Sequence, residues 1–146
     1  MDVSRYASTV LNVNKRAGEV RVRYEQLLES DDGPQVEELL PISQVRPVPP
    51  ESAGWQAAHG STQATAHLAW AQALGRGLSV EVFVDDAWWS AVFVGHDGED
   101  TSGPLFLVQY LQFDGQAQLP AYALRPSWKF DGTSEIWSLD TEVYDV

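Results

Sequence analysis

Val80-Glu81-Val82-Phe83-Val84-Asp85-Asp86-Ala87-Trp88-Trp89-Ser90-Ala91-Val92-Phe93-Val94 is the stretch on which the fold turns. Val80, Val82 and Val84 alternate with Glu81 and Phe83, Asp85-Asp86 interrupts the run, and a second β-rich segment follows. Two strands joined by a short acidic turn are expected. Successive strand residues point to opposite faces, so Trp88 and Trp89 cannot both enter one core. One of them is expected at an open surface beside two carboxylates, where aromatic faces with anionic neighbours favour a weakly hydrated cation such as a methylated ammonium.

Upstream, Arg5 to Val13 reads as a strand, Asn14 to Gly18 as a hairpin turn, and Glu19 to Tyr24 as a strand with Val20, Val22 and Tyr24 on one face and Arg21 and Arg23 on the other. Ser30 to Pro34 is another turn, Val36 to Leu40 a short strand, and Pro47, Pro49 and Pro50 mark a boundary. The segment 51–77 is rich in Ala, Gln, Ser, Thr and Gly and reads as a linker. Within it Thr62 to Leu74 is expected to be a helix with Ala66, Trp70 and Leu74 on one face, Ser61 or Thr62 capping its start and Gly75 ending it. Trp55 and Trp70 are expected to pack this linker against a β unit. Downstream, His96 to Pro104 reads as a polar loop, Leu105 to Leu111 as a strand, Phe113-Asp114-Gly115 as a turn and Ala117 to Ala121 as a short strand.

The chain has 146 residues, 44% of them hydrophobic, which suits a folded core in one ordinary domain or two small ones. It contains no Cys, so no disulfide framework or thiolate metal site is available. His59 and His67 stand with no carboxylate between them, which argues against a metal site, and no cofactor is expected. No apolar run approaches a membrane span and no signal peptide opens the chain, so a soluble, intracellular protein is expected.

The net charge is −12, and it is uneven: up to Glu51 there are nine acidic and six basic residues, beyond it twelve acidic residues against Arg76, Arg125 and Lys129. Such a surface repels phosphate backbones and steers basic partners, so a Lys/Arg-rich peptide is expected rather than nucleic acid. Acidity that serves only solubility is the competing reading. His96 beside Asp97, Glu99 and Asp100 has the groups for acid–base work, but it sits in a Gly-bearing polar stretch and no nucleophile motif accompanies it. A non-catalytic protein is expected.

Two parts of the chain repeat each other. Tyr6-Ala7-Ser8-Thr9-Val10 answers Trp89-Ser90-Ala91-Val92-Phe93, Val22-Arg23-Tyr24 answers Val108-Gln109-Tyr110, and Val45-Arg46-Pro47 answers Leu124-Arg125-Pro126. The order is the same in both, which marks a tandem duplication of a small β unit. The motifs Val80-Glu81-Val82, Trp88 to Val92, Leu107 to Tyr110 and Ala123 to Pro126, with Tyr6 to Val10, Val20 to Glu25 and Ile42 to Pro47 in the first unit, resemble the plant Agenet domains of the Tudor-like group. That group includes the tandem Tudor-type pair of the fragile X protein.

The resemblance implies an all-β chain of two small Tudor-like (SH3-like) barrels in tandem with a short helix in the linker. The units would span 1–50 and 78–128, with the linker at 51–77 and a tail at 129–146. In the family each barrel opens with a strand like Val80 to Val84, where the first unit has only Met1 to Ser4. The β-rich tail from Ser134 to Val146 is expected to pair with the first unit, in cis or, from a second copy, as a strand-exchanged homodimer.

The resemblance also implies a chromatin-type reader in which aromatic residues cage a methylated lysine or arginine of a histone tail, and hence a nuclear location. Carried over by position, Trp88 or Trp89, Tyr110 and Phe113 form the cage, with Asp85 or Asp86 as its anion. Tyr6 and Tyr24 are a secondary, incomplete site. A protein-interaction scaffold without methyl dependence is the alternative.

Overall fold

The computed structural model describes residues 5–50, 62–101 and 103–146. Met1 to Ser4, Trp55, His59 and Ser61, on which expectations above fall, lie outside the described residues. In the first unit β1 (Ser8–Asn14), β2 (Glu19–Leu28) and β3 (Gln35–Pro41) form an antiparallel sheet in that order. After helix α1 (Thr62–Gln72) come β4 (Ser79–Val84), β5 (Ala87–Asp100), β6 (Gly103–Tyr110), β7 (Gln116–Pro120) and β8 (Leu124–Pro126), in the sheet order β7-β6-β5-β4-β8. A final hairpin pairs β9 (Trp128–Asp131) with β10 (Ile136–Leu139).

The organising hairpin forms as its sequence dictates. Val84 pairs with Ala87, and Asp85 and Asp86 between them both take positive φ, 51° and 65°. Two left-handed residues make the tight turn whose twist matches the flanking strands, and Asp tolerates that region better than most side chains. Val80, Val82, Ala91, Phe93, Phe106, Val108 and Leu124 then close a buried core on one face of the sheet, to which α1 contributes Ala71 and the turn after it Leu74.

The duplication holds residue by residue. Val10 pairs with Val22 and a bulge separates it from the Asn12 to Arg21 pair, just as Phe93 pairs with Val108 and a bulge separates it from the Gly95 to Leu107 pair. On the other side Val22 faces Glu38 as Val108 faces Ala117. Each third strand runs into a 3-10 turn, Ile42–Gln44 or Ala121–Ala123, and then into the Arg-Pro segment. The all-β class with a linker helix is as expected. The sheets, however, are not closed by hydrogen bonding among the described residues, so the units are open sheets rather than sealed barrels.

Three local expectations are corrected. His96 to Asp100 continues β5 instead of entering a loop, because bulges between Phe93 and Gly95 and between His96 and Glu99 absorb the residues that break alternation. The inward stripe of α1 is His67, Trp70, Ala71 and Leu74, with Ala66 exposed: His67 Nε2 meets Ala121 O at 2.6 Å and its ring stacks on Trp70. Among the described residues the tail builds no strand ladder with the first unit. Its strands pair with each other, Val143 bridges to Leu78, and the Tyr144 amide donates to Gly77 O at 2.7 Å. The backbone groups expected to seek β1 are thus satisfied within the tail and by the second unit.

One carboxylate joins the units. Glu81, on the face of β4 opposite its valines, accepts from Arg46 of the first unit at 3.2 and 3.0 Å and from Arg125 Nε of the second at 2.7 Å. Glu81 and Arg125 are buried and Arg46 is largely so. Arg46 also donates to Trp128 O at 3.0 Å and lies over the Trp137 ring at 5.3 Å, which ties in the tail. Beside this cluster Arg5 and Trp88, equivalent residues of the two units, exchange a reciprocal pair of backbone hydrogen bonds, each 2.7 Å, about a local pseudo-twofold.

Two variants check this arrangement. Glu81→Ala leaves two guanidiniums buried without their shared anion, and thermal or urea unfolding should show a loss of about 3–5 kcal/mol, the usual cost of breaking a buried ion pair from one side. Asp86→Gly, which suits the left-handed turn position, should raise stability by about 0.5–1 kcal/mol in the same assay.

Candidate functional site

The β4–β5 turn and the loop after β6 meet at one end of the second sheet. Strand parity decides which tryptophan faces it. Trp88 is only 8% exposed, packed against Phe83 with ring centroids 5.1 Å apart and covered by the Arg125 guanidinium at 4.0 Å. It belongs to the junction. Trp89 points the other way, its indole N–H donating to Val84 O at 3.0 Å, so the ring is held across its own hairpin.

Against that ring comes Phe113, 50% exposed, with centroids 6.1 Å apart and planes at 88°. Tyr110 stacks on Phe113 at 4.5 Å with 22° between planes. The three rings therefore make an open corner. Asp85 stands close enough to act on the Tyr110 phenol, whose pKa rises above its ordinary value, through burial first and the Asp85 charge second. Asp86 is exposed on the turn, and none of its contacts places it against the rings.

The loop bearing Phe113 is anchored to the strand bearing Trp89. The Leu111 amide donates to Ser90 O at 3.1 Å, and the Tyr110 amide to Gly115 O at 3.0 Å. Gln112, with its amide oriented to suit, donates to Ser90 O at 2.8 Å and accepts from Ser90 N at 3.0 Å. Gly115 lies close beneath the rings: a Cβ there would be 3.3 Å from the Phe113 ring, which would have to give by a few tenths of an ångström, and 3.8 Å from that of Tyr110. Sequence reasoning found the rings but missed Gln112 and Gly115, whose roles depend on how the loop folds back.

The first unit repeats part of this geometry. Tyr6 and Tyr24, at the positions of Trp89 and Tyr110, meet edge to face at 5.9 Å. The Tyr24 hydroxyl donates to Glu38, which stands where the second unit has Ala117. Burial first, then that carboxylate, pushes the Tyr24 pKa up to about 12. Leu27 occupies the place of Phe113, so this pair lacks the third ring.

A cleft of about 1180 Å³ runs between the first unit, the second unit and the tail, and none of Trp89, Tyr110 and Phe113 lines it. Ser90, Leu111 and Gln112 line it from the second unit, while Glu135 and Glu142 line it from the tail. Of the groups read in the sequence as acid–base candidates, His96 lies among the rings of Phe93 and Phe106, at 5.3 and 5.5 Å, and Asp97 accepts from Gln118. Neither faces the cleft.

Two open, antiparallel Tudor-like β units joined at a buried ion pair, with an aromatic corner at one sheet end, define a tandem binding module. Residues 4–50 match the Agenet domain family model. Its whole fold is similar to the crystal structure of Arabidopsis thaliana AGDP1 AGD34, at TM-score 0.65 and 20% identity over 92% of this chain and 76% of that one. It is also similar to the ADCP1 tandem Agenet domain 3-4, at TM-score 0.66 and 19% identity over 94% of this chain and 80% of that one. No curated protein matches the chain. Agenet domains are Tudor-like modules, often chromatin readers and typically non-catalytic.

The raised Tyr24 pKa has a direct readout. A tyrosine whose folded pKa exceeds its unfolded value contributes stability that is complete below the unfolded pKa, near 10, and is lost as pH rises toward about 12. Ultraviolet titration of phenolate should show a tyrosine ionising near pH 12, absent in Tyr24→Phe and shifted to lower pH in Glu38→Gln.

Proposed function

We propose that the second unit binds a methylated lysine side chain of a basic peptide, such as a histone tail, in the corner formed by Trp89, Phe113 and Tyr110. The observation that carries this reading is the meeting of three aromatic rings, from β5, the end of β6 and the loop after it, one pair at right angles, beside Asp85. Methylation keeps the ammonium charge but weakens its hydration, so aromatic faces replace little lost water while gaining cation–π attraction of about 0.5–2 kcal/mol per ring. Asp85 supplies the fixed anion that makes a neutral ligand a poor substitute.

Only part of the affinity comes from that side chain. The cleft of about 1180 Å³ between the units has room for flanking residues that reach it, and Glu135 and Glu142 on its tail side suit their positive charges. The −12 net charge of the chain raises the encounter rate with such a partner and opposes binding to nucleic acid. A nuclear, chromatin-bound role belongs to the same proposal. An open corner rather than a closed box predicts modest affinity, in the micromolar range or weaker.

Isothermal titration with trimethylated, dimethylated and unmodified lysine peptides tests the reading. Methylated forms should bind, unmodified ones at least tenfold more weakly, and Trp89→Ala should remove about 1–2 kcal/mol of binding with little change in stability. Trp88→Ala should instead lower stability by about 3–5 kcal/mol, because that ring is core. Gly115→Ala should weaken binding by displacing Phe113. Equal binding of methylated and unmodified peptides would transfer the function to a protein-interaction scaffold without a cage.

A further inference from the structure

The two units share one strand register but not one set of neighbours. In the second, β4 lies along the outer edge of β5: the Phe93 amide donates to Leu78 O at 2.9 Å and its carbonyl accepts from Gly77 N at 2.8 Å. In the first, the equivalent edge of β1 has no ladder partner among the described residues. The packing records the difference. Phe93 is 2% exposed, whereas Val10, in the same register position, is 51% exposed, and Val13 is similarly open.

We propose that β1 accepts an added antiparallel strand from a partner protein, placed as β4 is placed on β5. The groups for pairing are in position. Glu25 N donates to Ala7 O at 3.0 Å, so by alternation Ala7 and Thr9 turn toward β2 while Ser8 and Val10 present their N–H and C=O groups outward. Ser8-Thr9-Val10-Leu11-Asn12-Val13-Asn14 also carries no charge and no proline, the usual guards of a free edge.

The duplication identifies the chemistry of the occupant. On β4, Val80 and Val82 fill the core and Glu81 between them stands opposite Arg125 in the β4–β8 ladder. The matching position on an added strand stands opposite Arg46, which now shares the Glu81 carboxylate with Arg125. The occupant is therefore an extended segment of the pattern β-branched, acidic, β-branched, its alternate side chains covering Val10 and its carboxylate approaching Arg46. Main-chain hydrogen bonds supply affinity in this mode and the alternating side chains supply selectivity.

The probe is a labelled synthetic peptide with the sequence of residues 78–86, titrated into the full chain by fluorescence anisotropy with amide hydrogen exchange on the complex. Saturable binding with about tenfold or greater slowing of exchange at Ser8 and Val10 is expected. A peptide with proline at the place of Val82 should not bind, and Ser8→Pro, which removes an outward N–H while sparing the β1–β2 ladder, should weaken binding of the parent peptide. No saturable binding, or protection confined to residues outside β1, would overturn the proposal. So would protection of Ser8 and Val10 that rises with protein concentration alone, which would assign the edge to a second copy.

Discussion

The Glu81 carboxylate is the point on which the two units depend. Burying one carboxylate is costly unless its lone pairs are met in good geometry, and here two guanidiniums meet them, one from each end of the duplication. Arg125 is itself pulled below its ordinary pKa by burial, with Glu81 opposing that shift and Arg46 and Arg5 adding to it. The three arginines tolerate one another because the anion lies among them. Once Glu81 is fixed, the parity of β4 and β5 follows: Trp88 turns to the junction face beneath Arg125, and Trp89 to the valine face, at the rim of the core. The aromatic corner is thus a consequence of the junction.

Equal backbone registers have been put to unequal use. Where the second unit places Phe93, Phe113 and Ala117, the first places Val10, Leu27 and Glu38. The second unit gains a third ring and a filled core, while the first gains a tyrosine held to a carboxylate and keeps an open edge. A duplicated scaffold can divide labour in this way because strand pairing depends on backbone groups, whereas recognition depends on a few side chains at the ends of the sheet.

Much of this was legible in the residues. Alternation marked the strands, the Asp85-Asp86 break marked the turn, and the shared order of short motifs marked the duplication. Adjacent tryptophans face opposite ways, Trp88 at the junction and Trp89 half-buried at the rim of the core, although alternation alone does not say which goes where. That choice rests on Arg46 and Glu81, residues 35 positions apart in sequence, and no local pattern connects them. The repeated Arg-Pro endings were visible as motifs, but their convergence on a single carboxylate is a tertiary fact. The polar residues of His96 to Asp100 read as loop because bulges hide the strand period, and the tail found its partners in itself because a hairpin is the nearest way to satisfy its backbone.

The most direct test is nuclear magnetic resonance of the tryptophan indole groups during titration with a trimethyl-lysine peptide. Cation binding in the corner predicts a progressive shift of the Trp89 indole resonance, with that of Trp88 unmoved and with no comparable change when the lysine is unmodified. A still Trp89 resonance at peptide concentrations that saturate binding, or the same shift with both peptides, would contradict it.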